Sequence, residues 1–211
     1  MVALAVTSIV LAGTYAAYTF FSQQQQTLLA QTEVDRSALR VIDLMQSDIR
    51  MAGFKDYSSA NPLFPNQAIV ISNTGDDLTV VYDMYDASGN PYPILVRYYL
   101  ANYSSASGVI RNRLKRDYRQ CNDPLVPCNI SNSTALVMPE SDGPGEPVLD
   151  WVSSFVVKGL NAKASGVFSN QYQVVQVTLV VNSPQKIEGT TRTVTKTYTF
   201  LARAKNVSLV L

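Results

Sequence analysis

The first 21 residues, MVALAVTSIVLAGTYAAYTFF, carry no charged side chain, a glutamine run at 23–26 follows at once, and the first charged residue is Glu33. An uncharged apolar stretch of roughly 20 residues is enough to cross a bilayer as one helix. The helical pattern does not stop there. No proline occurs before Pro62, and the periodicity continues to Phe54, which predicts one helix about 80 Å long. Residues 1–21 are apolar on every side, so that part must be buried on every side, in lipid or among like helices, and residues 1–30 are taken together as the transmembrane or filament-core helix. The side chains expected to carry that burial are Val2, Leu4, Val6, Ile9, Val10, Leu11, Tyr15, Tyr18, Phe20 and Phe21. Gly13 and Thr14 are the points where local unwinding costs least.

A secretory signal peptide is the main rival reading. Its apolar part is shorter and follows positive charge, whereas no basic residue precedes this run. The segment is therefore expected to be retained.

From residue 31 to about 56 the pattern becomes amphipathic. Val34, Ala38, Val41, Ile42, Met45, Ile49 and Ala52 recur at spacings of three and four, one stripe that predicts packing against the chain's own sheet. Asp35, Arg36, Arg40, Asp43, Asp48 and Arg50 are assigned to the remaining, polar surface. Gly53 supplies a C-terminal stop.

The remaining 57–211, about 155 residues, suffice for one core. They alternate strand-like runs with turn residues. Strands are expected at 67–72, 78–84, 92–100, 109–114, 135–138, 148–160, 172–182 and 191–204, separated by turns at 73–77, 87–90 and 104–108 and by loops at 58–66 and 139–147. Strand–turn–strand spacing of this kind indicates mainly antiparallel sheet. The fold class is therefore α+β: a long N-terminal helix packed on an antiparallel sheet domain. Cys121 and Cys128, in CNDPLVPC, are the two cysteines. In an exported domain they are expected to close a small loop as a disulfide.

Signals for chemistry are sparse. The chain has no histidine, which removes the commonest general base and zinc ligand. No nucleophile motif or phosphate-binding glycine loop occurs, so neither catalysis nor a cofactor is expected. Carboxylates gather at Asp76, Asp77, Asp83 and Asp86 and at Glu140, Asp142 and Glu146. Calcium takes six to eight oxygens and stays open as a ligand, the 140–146 loop before the other; neither group has the spacing of a calcium loop, and turn chemistry accounts for both without a metal. Arg111, Arg113, Lys115, Arg116 and Arg119 lie near Tyr98, Tyr99, Tyr103 and Tyr118. Such interleaving can hold single-stranded nucleic acid. Alternation of Arg111, Arg113 and Lys115 with Ile110, Asn112 and Leu114 instead favours a strand with one wet face, and a net charge of only +1 weighs against nucleic acid as a partner. Glycosylation sequons at Asn102, Asn129, Asn132 and Asn206 matter only in a host that modifies exported proteins.

The opening MVALAVTSIVLAGTYAAY resembles the N-terminal segment of type IV pilins and pseudopilins, where the stretch commonly reads G-F-T-L-I-E-L-M-V-A with cleavage after the glycine. This sequence starts at the M-V-A, without the processing glycine, the following phenylalanine or the early glutamate, as expected of a start set inside the family's segment. The stem end, Arg50-Met51-Ala52-Gly53-Phe54, is similar to that of PilW-family minor pilins. More weakly, so are residues 108–111 and 194–206. The resemblance implies a filament subunit acting in pilus assembly. It would be held in the inner membrane, processed by prepilin peptidase, handled by the inner-membrane assembly machinery and packed helix to helix with other pilin subunits at the cell surface. A J-type pseudopilin of type II secretion, in a periplasmic pseudopilus, shares this plan, and a major subunit is also open. A single-span adhesin or receptor that never polymerises is the alternative from another class.

Overall fold

A computed structural model of the chain describes residues 2–56, 68–104, 110–122, 128–136, 144–160, 172, 174–186 and 193–205. One helix, α1 (Val2–Met51), precedes nine strands: β1 (Ile69–Ile71), β2 (Asp77–Tyr85), β3 (Pro91–Ser104), β4 (Ile110–Cys121), β5 (Ser133–Ala135), β6 (Glu146–Asp150), β7 (Val152–Leu160), β8 (Val174–Lys186) and β9 (Thr193–Arg203). The fold is α+β with antiparallel pairing at every interface between strands.

α1 is unbroken through Gly13 and Thr14. Hydroxyls inside its apolar half bond back to the helix: Thr7 to the Ala3 carbonyl at 2.8 Å, Ser8 to Ala5 at 2.8 Å, Thr14 to Val10 at 2.9 Å and Thr19 to Ala16 at 2.9 Å. Polar atoms are thereby satisfied without water, as a lipid or helix-bundle environment demands.

The helix ends at Met51 rather than Phe54, because the backbone there is taken over by the sheet. Gly53 has φ +72, a left-handed conformation suited to glycine after a helix. Its N–H donates to the Val81 carbonyl at 3.0 Å, and the Phe54 carbonyl accepts from the Asp83 N–H at 2.9 Å. The chain leaving the helix thus continues the edge of β2 where β1 stops. From the other side, the Lys205 N–H reaches the Arg50 carbonyl at 3.4 Å.

The strands form two sheets rather than one. The first runs β1-β2-β3-β4-β5 with β6 also on β4; the second is β7-β8-β9. The run expected as a single strand over 148–160 is divided at Trp151, whose φ is +63. Before it, β6 pairs with β4; after it, β7 pairs with β8. The left-handed residue redirects the chain from one sheet to the other, and the Trp151 carbonyl accepts from the Asn182 N–H at 2.9 Å. A second tie between the sheets is the Val157 N–H donating to the Gly75 carbonyl at 2.6 Å. Gly75 has φ +76, and a Cβ there would lie 2.9 Å from the Val157 carbonyl oxygen, so glycine is required by both conformation and space.

The core lies between the second half of α1 and both sheets. Val34, Ala38, Val41, Ile42, Met45, Ile49 and Ala52 are all buried. They meet Leu78, Val80, Ile94, Val96 and Leu114 of the first sheet and Phe155, Val177 and Leu179 of the second in one hydrophobic cluster. Met45 and Ile49 are wholly buried, each worth roughly 1.5–3 kcal/mol relative to exposure.

At the far end of β4, Cys121 and Cys128 form a disulfide with Cα atoms 5.5 Å apart. The turn that follows is capped by Asn129, whose side chain accepts from the Ser131 and Asn132 N–H groups. The expected loops and turn over 58–66, 104–108 and most of 139–147 lie outside the described residues. By chain entropy, a loop this short stabilises by about 2.5 kcal/mol. Cys121→Ser is expected to lower the denaturation free energy of the full chain in detergent by about that amount under oxidising conditions and to leave reduced protein unchanged. Equal urea midpoints for oxidised wild type and variant would contradict it.

Candidate functional site

Two halves of α1 meet opposite environments. In the first, Val6, Ile9, Val10, Leu11, Tyr15, Tyr18, Phe20 and Phe21 are 56 to 71% exposed. Leu28 and Leu29 extend this surface. The side chains of Val2 and Leu4 lie outside what is described. These residues point around the full circumference of the helix, and none of the most apolar window of α1 is buried among the described residues. The helix is long and apolar enough to cross a membrane. Burial begins at Ala30, one turn before the stem meets the sheets.

The second half is held by polar contacts as well as by its apolar stripe. Asp48 is 4% exposed, although the sequence groups it with the charged residues that fall mostly off the stripe. Its carboxylate accepts from the Tyr82 hydroxyl at 2.8 Å, the Tyr98 hydroxyl at 2.5 Å, Arg116 Nε at 3.0 Å and Arg116 Nη2 at 3.2 Å. Four donor atoms from three neighbouring strands therefore converge on one helix residue. Burial, then the adjacent Asp48 charge and hydrogen bond, push both phenols far above their ordinary value of 10.0. For Arg116, burial alone would favour the neutral form, but the hydrogen bonds and charge of Asp48 outweigh it and raise its pKa. Higher on the stem, Asp35 accepts from Lys196 Nζ and the Tyr198 hydroxyl of β9. Those hydrogen bonds, Lys196 first, hold its carboxyl below the usual value.

The basic run on β4 is not a wet face. Lys115 and Asp117 are fully buried, and the arginine side chains at 113, 116 and 119 are only 13 to 15% exposed. Their charges are met inside the chain: Arg113 by Asp150 at 2.9 Å, Arg116 by Asp48 and by Glu146 at 3.6 Å, Arg119 by Asp117 at 3.2 Å. Arg113 also lies 3.9 Å over the Tyr103 ring and Arg116 5.0 Å over Tyr118. The aromatic and cationic residues that suggested a nucleic-acid groove are thus occupied with one another and with carboxylates distant in sequence. The Arg111 side chain lies outside the described residues.

Nor do the acidic groups converge. Among the described residues no three of His, Cys, Asp and Glu come together as a metal site. Asp76 accepts from Ser72 and Thr74 within its turn, Asp77 from Arg97 at 2.6 Å, and Asp86 from the Ser88 and Asn90 N–H groups. Glu140 and Asp142 lie outside the described residues. An open groove of about 370 Å³ runs beside the upper stem, lined by Glu33, Ser37, Asp150, Trp151 and Asn182 among others.

Compared with protein families, with characterised proteins and with solved structures, the chain finds no match.

The Asp48 cluster makes two measurable demands. Asp48→Ala leaves a buried cation and two buried hydroxyls without their acceptor, and is expected to cost about 3–5 kcal/mol in urea denaturation of the detergent-solubilised chain. A cost below about 1 kcal/mol would mean that the cluster is not a lock. The phenols are raised in the folded state, so the stability they contribute is complete below the unfolded value of 10.0 and falls as pH rises through and above it. Urea midpoints are expected to drop steeply above pH 10, and Tyr82→Phe/Tyr98→Phe is expected to flatten that drop.

Proposed function

We propose that this chain is a structural subunit of a type IV pilus-like filament, of the PilW-like minor kind, held in a membrane by its N-terminal helix and assembling with like copies through it. One observation carries the reading: half of a 50-residue helix is apolar around its whole circumference and exposed, while the other half is fixed to a folded domain. Burying such a surface is strongly favoured. Lipid and a bundle of like helices both supply that burial, so one helix serves before assembly and after it. The resemblance of the first residues and of the stem end to pilins supports the same account. So does the stem's attachment to both sheets, which fixes the helix relative to the domain and lets the apolar half project as a rigid rod. In this role the activity is assembly, and the domain is what the filament presents.

A charge at the middle of the apolar half opposes both fates, costing about 2.5 kcal/mol or more in lipid. Val10→Asp is expected to abolish recovery of the protein in sheared surface filaments and to weaken its retention in the membrane fraction. The Asp35, Asp48 and disulfide contacts are remote from the change, so the domain is expected to stay folded, as judged by limited proteolysis. Wild-type protein that stays wholly in the membrane and never enters filaments would favour a single-span receptor instead.

A further inference from the structure

Carboxylates on the stem's sheet-facing side and on strands of the domain are ion-paired. Asp35 pairs with Lys196, Asp48 with Arg116, Asp77 with Arg97, Asp117 with Arg119 and Asp150 with Arg113. The outward face of the stem is different. Glu33, Arg36, Arg40, Asp43 and Arg50 are all exposed, and none of their side chains makes an ion pair or hydrogen bond among the described residues. At 100° per residue they fall within a sector of about 100°, opposite the buried Val34-to-Ala52 stripe. They form a stripe of unmatched charge with a fixed order: negative, positive, positive, negative, positive.

That order is most complementary to itself at one displacement. With two parallel copies in register, every charge meets its like. A shift of four residues sets Arg36 against Arg40; ten sets Glu33 against Asp43 and Arg40 against Arg50; fourteen sets Arg36 against Arg50. A shift of three gives two attractions. A shift of seven gives three, Glu33 with Arg40, Arg36 with Asp43 and Asp43 with Arg50, and no repulsion. An antiparallel pair matching Glu33 with Arg50 and Arg40 with Asp43 is also complementary, but it points the two apolar halves in opposite directions and leaves both bare. Parallel copies bury them against each other.

We infer that the outward face of the stem docks a second copy of this chain, parallel and displaced by seven residues, about 10.5 Å along the helix, with the three charge pairs setting the register. This rests on the assembly reading above. The apolar half supplies attraction but no register, because hydrophobic contact is non-directional; the charge order supplies the register, chiefly by penalising wrong shifts.

The test uses two differently tagged full-length copies co-expressed in a bacterial membrane. Co-purification of the tags in mild detergent reads association by itself. Disulfide trapping then reads register. Glu33→Cys in one copy with Arg40→Cys in the other is expected to give at least about fivefold more trapped dimer than Glu33→Cys with Arg36→Cys, the three-residue shift. The same margin is expected over Glu33→Cys with Arg50→Cys, the antiparallel pair. Glu33→Arg alone is expected to lower co-purification by about five- to tenfold, one attraction becoming a repulsion. Glu33→Arg/Arg40→Glu in both copies is expected to restore it, whereas in the antiparallel arrangement the double change would set like charges together at both sites. Tags that co-purify while trapping favours another pair, or favours none, would overturn the register and leave the assembly reading standing. Tags that never co-purify would overturn both.

Discussion

A helix buried along only part of its length must satisfy two surroundings with one continuous backbone. In α1 the division falls at Ala30, the first buried residue. Upstream, the hydroxyls of Thr7, Ser8, Thr14 and Thr19 are bonded back to the helix and need no water. Downstream, each turn gives one side to the sheets. Among the described residues the domain buries none of the most apolar window of the helix. On the proposed reading, lipid or other copies supply that burial.

The stem is fixed by apolar burial together with the Asp48 cluster, and the two do different things. The stripe from Val34 to Ala52 supplies most of the favourable free energy but would tolerate small slides of the helix over the sheet. A buried carboxylate with four donor atoms in place does not tolerate a slide, because any shift leaves buried polar groups unmatched. Gly53 and Lys205 fix the same end of the helix through backbone hydrogen bonds to Val81 and Arg50. In the proposed filament, this rigidity where helix and sheets join would carry the domain's position along the helix to other copies.

How far the sequence revealed this depends on how local each determinant is. The long helix and its amphipathic second half follow from spacing alone, and the disulfided loop from two cysteines seven residues apart. The division into two sheets does not. Residues 148–160 read as one strand because no glycine or proline interrupts the run before Gly159, and the backbone at Trp151, positive in φ, separates β6 from β7. Asp48 groups by sequence with the charged residues that fall mostly off the stripe on the helical wheel. Yet it lies three residues from Met45 and four from Ala52, both wholly buried, so its position on the wheel already placed it beside the stripe. What the sequence could not supply were its partners, which are 34, 50 and 68 residues away. The same holds for the β4 arginines. Alternation suggested a wet face, whereas burial was decided by Asp150 and Asp48, which arrive from other elements.

The distribution of unmatched charge then separates folding from assembly. Ion pairs tie strands to one another and to the stem, even Lys196 to Asp35, which are 161 residues apart. If the stem's outward charges served only solubility, their order would be free. A pattern that attracts its own copy at a seven-residue shift and repels it at shifts of zero, four, ten and fourteen is a constraint beyond solubility. Individually, exposed ion pairs contribute little, so these charges cannot drive association. Discrimination is the task they suit, because a wrong register brings like charges together in a place that helix packing partly dries, where the penalty per pair exceeds its surface value. Attraction from an apolar surface without direction and selection from a charge pattern without much strength are complementary requirements, and α1 carries them on successive halves of one helix.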